Sequence, residues 1–233
     1  MQNVFIAGVD HGIGQALAHA YLDREYTVYA IGAQEDKTLL SRPDYYFTPV
    51  DMHSPEIVHS DVESFAQRHT FERVILASET MGSICDMSDL PLHEFQEAVN
   101  VNVLSVKQIL DALLRHATVQ QAILIGADAT RLRHRGWGSY IATKEMMSDL
   151  LPFYAEEYPD THFSTIVPGL TATPELSHIF KTANTRRFPS VMRIRNGLIK
   201  SPGQTAEELL VGFDRVQNYR SGEQHHLDKL LKQ

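Results

Sequence analysis

The chain has 233 residues, of which 43% are hydrophobic and 21% charged; at about 150 residues per domain this leaves one large domain or two small ones, with one the simpler reading. Such a composition excludes disordered, collagen-like and miniprotein classes, and a chain of this length buries roughly 70–75% of its unfolded surface without covalent staples. The 29 acidic residues outnumber 21 basic ones, for a net charge of −8, which disfavours nucleic acid as a partner because that binding is dominated by neutralising phosphates. Cys85 is the lone cysteine, so neither an intrachain disulfide nor a thiolate metal cluster is expected, in keeping with a reducing compartment. No apolar run approaches the roughly 20 residues of a bilayer span, and the N-terminus lacks a basic segment followed by a long apolar one. A cytoplasmic protein without membrane contact is the expectation.

In chain order, Asn3 to Ala7 is a short apolar run stopped by glycine, and Ile13, Ala16, Leu17, Ala20 and Tyr21 recur at helical spacing, which reads as strand, turn and helix. Strands are predicted at Thr27–Ile31, Tyr45–Val50 and Val74–Ala77, with a helix-compatible stretch from Ser54 to His69 before the last. Ser88 and Asp89 are placed to cap a helix entered through Leu90-Pro91 and running to about His116. A buried strand at Gln121–Ile125, a helix at Gly138–Tyr154 and a strand at Thr161–Val167 follow, and a last helix is predicted at Thr205–Tyr219. Between Lys181 and Gly203 the pattern loosens. Alternating helices and continuous apolar strands predict a single α/β domain over residues 1–233, a doubly wound parallel sheet of the Rossmann kind whose ligands sit at the carboxyl ends of the strands.

The first strand runs into Gly8-Val9-Asp10-His11-Gly12-Ile13-Gly14. Glycines at a strand-to-helix turn let a dinucleotide's pyrophosphate approach backbone N–H groups at the helix start. Tyr140 and Lys144 stand four residues apart and share a helix face. A neighbouring ammonium favours phenolate, which would lower the tyrosine pKa toward a range useful for general acid/base work.

Together these motifs resemble the short-chain dehydrogenase/reductase family, whose pattern is Gly-x-x-x-Gly-x-Gly near the N-terminus and Tyr-x-x-x-Lys past the middle. The resemblance extends through Asp51 at the end of the third strand, Asn102 in Val101-Asn102-Val103, and Pro168-Gly169-Leu170-Thr171-Ala172-Thr173 after the sixth, and it covers about Val4 to Thr173. It implies hydride transfer between NAD or NADP and a small carbonyl or secondary alcohol, with Tyr140 as proton donor or acceptor. By the same resemblance Lys144 would hold the ribose and lower the tyrosine pKa, and Asn102 would anchor a water that relays protons to Lys144. The cofactor would rest on Gly8, His11, Gly12, Ile13, Gly14 and Ala77, with Asp51 and Met52 at the adenine and Pro168, Gly169, Thr171 and Thr173 at the nicotinamide. Residues 174–203 would form a lobe over the substrate, and a homodimer or homotetramer through the long helices is implied.

Three departures stand out. The family's serine, thirteen residues before the tyrosine, is Ala127 here, and Thr130, Asp128 and Ser83 are the candidates to replace its hydroxyl. The family's Asn-Asn-Ala-Gly is replaced by Ala77-Ser78-Glu79-Thr80, which puts a carboxylate near where the ribose would lie. The usual closing Asp-Gly-Gly is absent, so a short or altered last strand is expected. Ala127 and Glu79 also support an alternative, a weakly active or inactive dinucleotide-binding scaffold or redox sensor.

No carboxylate falls at the end of the second strand, where Ile31-Gly32-Ala33-Gln34 stands, and His11 is a basic residue beside the second glycine; the reading therefore leans to NADP. Lys181, Arg186, Arg187, Arg193, Arg195 and Lys200 occur without an acidic residue among them, and Arg131, Arg133 and Arg135 precede Tyr140. These cations either pair with the protein's own carboxylates or receive an anionic substrate. The twelve histidines include no His-Glu-x-x-His, and His225-His226 diverge, so no metal is expected.

Overall fold

In the computed structural model, which describes residues 2–67, 69–128 and 132–232, the first apolar run forms strand β1 (Asn3–Ala7). Helix α1 (Gly12–Leu22) leads to β2 (Thr27–Gly32) and β3 (Tyr45–Pro49), and α2 (Pro55–Ala66) to β4 (Thr70–Leu76). Helix α3 (Leu92–Val99), a π-helical turn (Asn100–Leu104) and α4 (Ser105–His116) precede β5 (Thr118–Ile125); α5 (Gly138–Glu157) precedes β6 (His162–Val167). Helices α6 (Pro174–Thr182), α7 (Pro189–Arg195) and α8 (Pro202–Val216) then lead to β7 (Glu223–His226) and α9 (Leu227–Leu230).

The strands pair in parallel in the order β3-β2-β1-β4-β5-β6-β7. Because side chains alternate across a strand, Phe5, Val74 and Leu76 pack under α2, α4 and α5, whereas Val4, Ile6 and Ile75 pack under α1 and α8. Both faces are thus covered, which is why the strands read as unbroken apolar runs. At about 1.5–3 kcal/mol for each fully buried aliphatic side chain, these two layers hold the sheet rigid beneath the loops at its carboxyl edge. The strand order reverses between β1 and β4, whose ends are in register at Ala7 and Leu76. Loops diverge at such a point and leave a crevice.

Three local features differ from the sequence reading. Ser88 and Asp89 do not cap the third helix, which starts at Leu92 with Pro91 as its N-cap; Asp89 instead pairs with Arg187 at 2.6 Å. The expected continuous helix to His116 is interrupted by the π turn at 100–104, a device common at functional sites. The segment 181–203, with its scattered Arg, Asn, Pro and Gly, is not wholly irregular: Pro189 and Pro202, like Pro174 before it, stand in the first turn of a helix, where the missing N–H costs nothing. Ser201 and Gln204 close a reciprocal capping box on α8. The last strand is four residues long, in line with the expectation of a short one.

Candidate active site

The crevice between the β1 and β4 ends is built by glycine. Gly8 has φ +87°, and a Cβ there would lie 2.5 Å from the Ser78 backbone nitrogen. A Cβ on Gly14 would run into the Gly8 carbonyl. The chain can therefore turn tightly against β4 and enter α1 with its first N–H groups facing outward, and the N-cap residue His11 gives them no side-chain bond. The groove so formed has a volume of about 280 Å³. Of the residues expected to hold the cofactor, Gly8, His11, Gly12, Ile13, Asp51, Met52, Ala77 and Thr173 line it. Gly14 lies beneath, against Gly8, and Pro168, Gly169 and Thr171 line the adjoining pocket. Ser78 also lines the groove, and its buried hydroxyl has no partner among the described residues. A glycine cradle, an uncapped helix start and a buried hydroxyl facing the groove fit a dinucleotide.

Around that groove the charges are arranged in ways the sequence reading did not reach. Asp10 accepts a 2.6 Å bond from the Gln34 backbone N–H, so a carboxylate does stand at the end of β2, supplied by the glycine turn. His11, expected to be a free cation for a 2′-phosphate, is instead bonded to Glu175 at 2.8 Å. The hydrogen bond to Glu175 raises the imidazole's pKa; burial raises that of Glu175, but the bonds from His11, its own backbone N–H and Thr173 together lower it. Asp51 accepts from the His53 backbone N–H at 2.9 Å, which holds its carboxyl below the ordinary carboxylate range.

Helix α5 brings Tyr140 and Lys144 to the groove, and both are nearly inaccessible at 4% and 2% exposure. A single carboxylate oxygen joins them. Oε2 of Glu79 accepts from the Tyr140 hydroxyl at 3.0 Å and from Lys144 Nζ at 3.1 Å. Burial pushes the Tyr140 phenol well above its ordinary pKa, and Glu79 pushes it further. The expected depression by Lys144 is thus reversed, because the ammonium is balanced by a carboxylate in the same cluster. Asn102 is bonded to the loop that carries Glu79. Its side chain accepts from Thr80 N at 2.8 Å and donates to Thr80 O and Thr143 Oγ1 at 2.9 Å each. It clamps the residue after Glu79, and the π turn is what presents it there.

Beside Tyr140 lies a second pocket lined by Met81, Ala127, Leu132, Trp137, Leu170 and Leu176, with Glu79 and Asp128 as its only charged members among the described residues. Ala127 occupies the expected serine position and is buried. Of the proposed substitutes for its hydroxyl, Asp128 lines the pocket, Ser83 is exposed outside it, and Thr130 lies outside the described residues.

Residues 2–184 match the family model for short chain dehydrogenases. The chain belongs to the short-chain dehydrogenase family. It is 23% identical to a benzil reductase ((S)-benzoin forming) of Bacillus cereus over 90% of this chain and 92% of that protein. It also superposes on a short chain dehydrogenase family protein from Francisella tularensis with a TM-score of 0.83 at 17% identity, covering 100% of both chains. The closed form of a serine dehydrogenase complexed with NADP+ gives a TM-score of 0.77 at 14% identity, over 96% of this chain and 94% of that one. The family's chemistry, NAD(P)-dependent oxidoreduction between an alcohol and a carbonyl, is therefore the class to which this protein is assigned.

In this short-chain dehydrogenase α6 and α7 pack beside the pocket, with Leu176, Ile179, Phe188, Val191 and Ile194 in one apolar cluster with Trp137 and Tyr140 and Leu176 lining the pocket itself. Trp137 is fixed by its indole N–H donating to Ser190 Oγ at 3.1 Å. The arginines of this lobe do not turn inward. Arg187 pairs with Asp86 at 2.5 Å and with Asp89, Arg135 pairs with Asp86, Arg133 with Glu145 at 3.6 Å, and Lys200 with Glu208. The bond from Arg135, with that from Arg187, holds the Asp86 carboxyl well below its ordinary pKa. Both guanidiniums also approach the Phe188 ring, at 6.0 and 5.6 Å from its centroid. Arg131 lies outside the described residues. Among those described, no helix is long and apolar enough to cross a membrane.

Proposed function

We propose that this protein reduces a small, neutral, largely apolar carbonyl compound, with Tyr140 giving the proton to the carbonyl oxygen and NADH preferred over NADPH. The observation that carries the reading is the pocket beside Tyr140, apolar on most sides and without a lysine or arginine among its described lining residues. An anionic substrate would meet the carboxylates of Glu79, which Lys144 balances from behind, and Asp128, with no lysine or arginine among the described lining residues to receive it. The similarity to a benzil reductase supports an aromatic ketone or diketone, for which Trp137 and Leu132 offer matching surface. The bound dinucleotide supplies the hydride. The protein's part is to hold the carbonyl against Tyr140, keep that phenol protonated and exclude water beside α6 and α7.

The cofactor preference follows from charge. The described groove residues include Asp10, Asp51, Glu79 and Glu175 but no lysine or arginine, and His11 is engaged by Glu175. A ribose 2′-hydroxyl can donate to a carboxylate, whereas a 2′-phosphate beside Asp10 would be repelled. This reverses the lean toward NADP that His11 suggested. Exposed Met146 and Phe153, seven residues apart on one face of α5, support a homodimer through that helix.

The test is turnover of a neutral aromatic diketone against a keto acid of similar size, each with NADH and NADPH. The diketone with NADH is expected to give the highest kcat/KM, by at least about tenfold over either change, the equivalent of roughly 1.4 kcal/mol. A keto acid that turns over as well, or NADPH bound tenfold tighter in a fluorescence titration, would overturn the corresponding half of the reading. The second reading, a scaffold without turnover, is favoured by one observation, the bond of Glu79 to both Tyr140 and Lys144. Dinucleotide binding with no turnover of any carbonyl would select it.

A further inference from the structure

Glu79 stands where the family has a small residue, and both groups it touches are nearly sealed from solvent, whereas its own side chain is 24% exposed. Its one oxygen takes the Tyr140 hydroxyl and the Lys144 ammonium together. Its backbone is held in place by the Asn102 clamp on Thr80. We propose that Glu79 is the proton relay of this active site, carrying protons between the groove solvent and Tyr140. The inference rests on the reductase reading above.

In reduction the Tyr140 O–H bond breaks as its proton joins the carbonyl oxygen, and the tyrosinate regains a proton that enters from solvent on the Glu79 carboxylate. In alcohol oxidation the steps reverse: the alcohol's proton passes to Tyr140 Oη while the phenol's own proton passes to Glu79 and out. Lys144 then serves to hold the carboxylate in line and balance its charge. The groups facing Glu79 are Tyr140 and Lys144 from α5, His11 from the glycine turn and Glu175 from α6, with Asp128 across the pocket. His11 and Glu175 are paired with each other, which leaves Glu79 as the carboxylate bonded to the phenol.

The test uses Glu79→Gln and does not require turnover. Tyrosinate absorbs near 295 nm, and the difference between a protein and its Tyr140→Phe counterpart isolates Tyr140 from the other eight tyrosines. Loss of the Glu79 charge is expected to move the Tyr140 titration to lower pH by at least about one unit, since the carboxylate opposes phenolate formation. Where the enzyme turns over, the rate of alcohol oxidation should become steeper with pH in Glu79→Gln, rising about tenfold per pH unit toward the phenol pKa, because only preformed tyrosinate can then act as base. Glu79→Asp should restore part of the wild-type profile. An unshifted Tyr140 titration, or an oxidation profile in Glu79→Gln parallel to wild type, would overturn the relay. Absence of turnover with a shifted titration would instead count against the reductase reading alone.

A second observation stands apart from this site. His59 and Glu63, four residues apart on α2, share a helix face and meet His116 at the end of α4; their ligand atoms all lie within 4.8 Å of one another, and all three side chains are half-buried. His116 Nε2 is already 3.4 Å from Glu63 Oε1. We infer that this trio binds a divalent transition-metal ion such as Zn2+, leaving a coordination position for water and stapling α2 to α4. Tetrahedral zinc with bonds of about 2.0–2.1 Å brings neighbouring ligand atoms to roughly 3.3 Å, a contraction that half-exposed side chains can make by rotamer change. Calorimetric titration of chelator-treated protein with Zn2+ is expected to give one equivalent and a raised Tm, and Co2+ a visible tetrahedral absorption band. Both should weaken at least about tenfold in His59→Gln and in His116→Gln. No heat and no Tm change, or binding unaltered in the double variant, would overturn the site.

Discussion

Tyr140→Phe is expected to lower kcat for carbonyl reduction by about 10³-fold or more, within the range of 10²–10⁴ that a positioned proton donor contributes. The reason is local. Tyr140 is the phenol bordering the apolar pocket, and its hydroxyl is bonded to Glu79 at 3.0 Å. Burial and Glu79 both keep that hydroxyl protonated, so reduction should hold level through neutral and mildly alkaline pH and weaken only as the raised phenol pKa is approached. Phenylalanine preserves the ring that packs with Trp137 and Ile141, so the variant should fold. Dinucleotide affinity, read by fluorescence titration, should stay near wild type, since Gly8, Gly12 and Asp51 are untouched. Wild-type reductase activity in Tyr140→Phe would remove Tyr140 from the mechanism.

Ala127→Ser is expected to raise kcat on a neutral ketone by about 10²-fold. Removing one donor to a developing oxyanion costs about 10²–10³ in rate, and this chain starts without the donor at that position. Ala127 is buried and shares the pocket with Tyr140, so a serine hydroxyl there would reach the same substrate oxygen from a second direction. Asp128, the substitute candidate that lines the pocket, presents a carboxylate and accepts bonds where a donor is needed. The comparison is kcat on one ketone in wild type, Ala127→Ser and Ala127→Val, the last as a control for added bulk. A serine variant no faster than wild type would mean that another group already supplies the bond.

Much of the architecture was legible from local pattern. The strands at Asn3–Ala7 and Thr27–Gly32 and the long helix from Gly138 lie where the apolar runs and helical spacing put them. Errors arose where one local signal had two meanings. Prolines 174, 189 and 202 break a helix from inside but start one from its first turn, and the second meaning applied. The π turn at Asn100–Leu104, which buries Val101, Asn102 and Val103 in succession, was not legible because three adjacent buried residues fit a strand or a buried helix as well as a π turn.

The sequence by itself determined the glycine turn, the Tyr140/Lys144 pair, the missing serine at Ala127 and the alternating sheet, because each depends on neighbours a few residues apart and on backbone freedom that residue type alone sets. Only the tertiary structure decided what the charges do. Glu79 and Tyr140 are 61 residues apart, His11 comes from the glycine turn and Glu175 from α6, and Asp86 lies 49 and 101 residues from Arg135 and Arg187. In the sequence the arginines read as a free basic lobe, His11 as a free cation and Lys144 as the charge that would acidify Tyr140. Folding brought a carboxylate to His11, to Lys144 and, among the arginines, to Arg133, Arg135 and Arg187. Since an ion's effect on its surroundings depends on the nearest opposite charge more than on the count along the chain, the pocket lacks, among its described lining residues, the basic character the arginines suggested, and the Tyr140 phenol is harder to ionise.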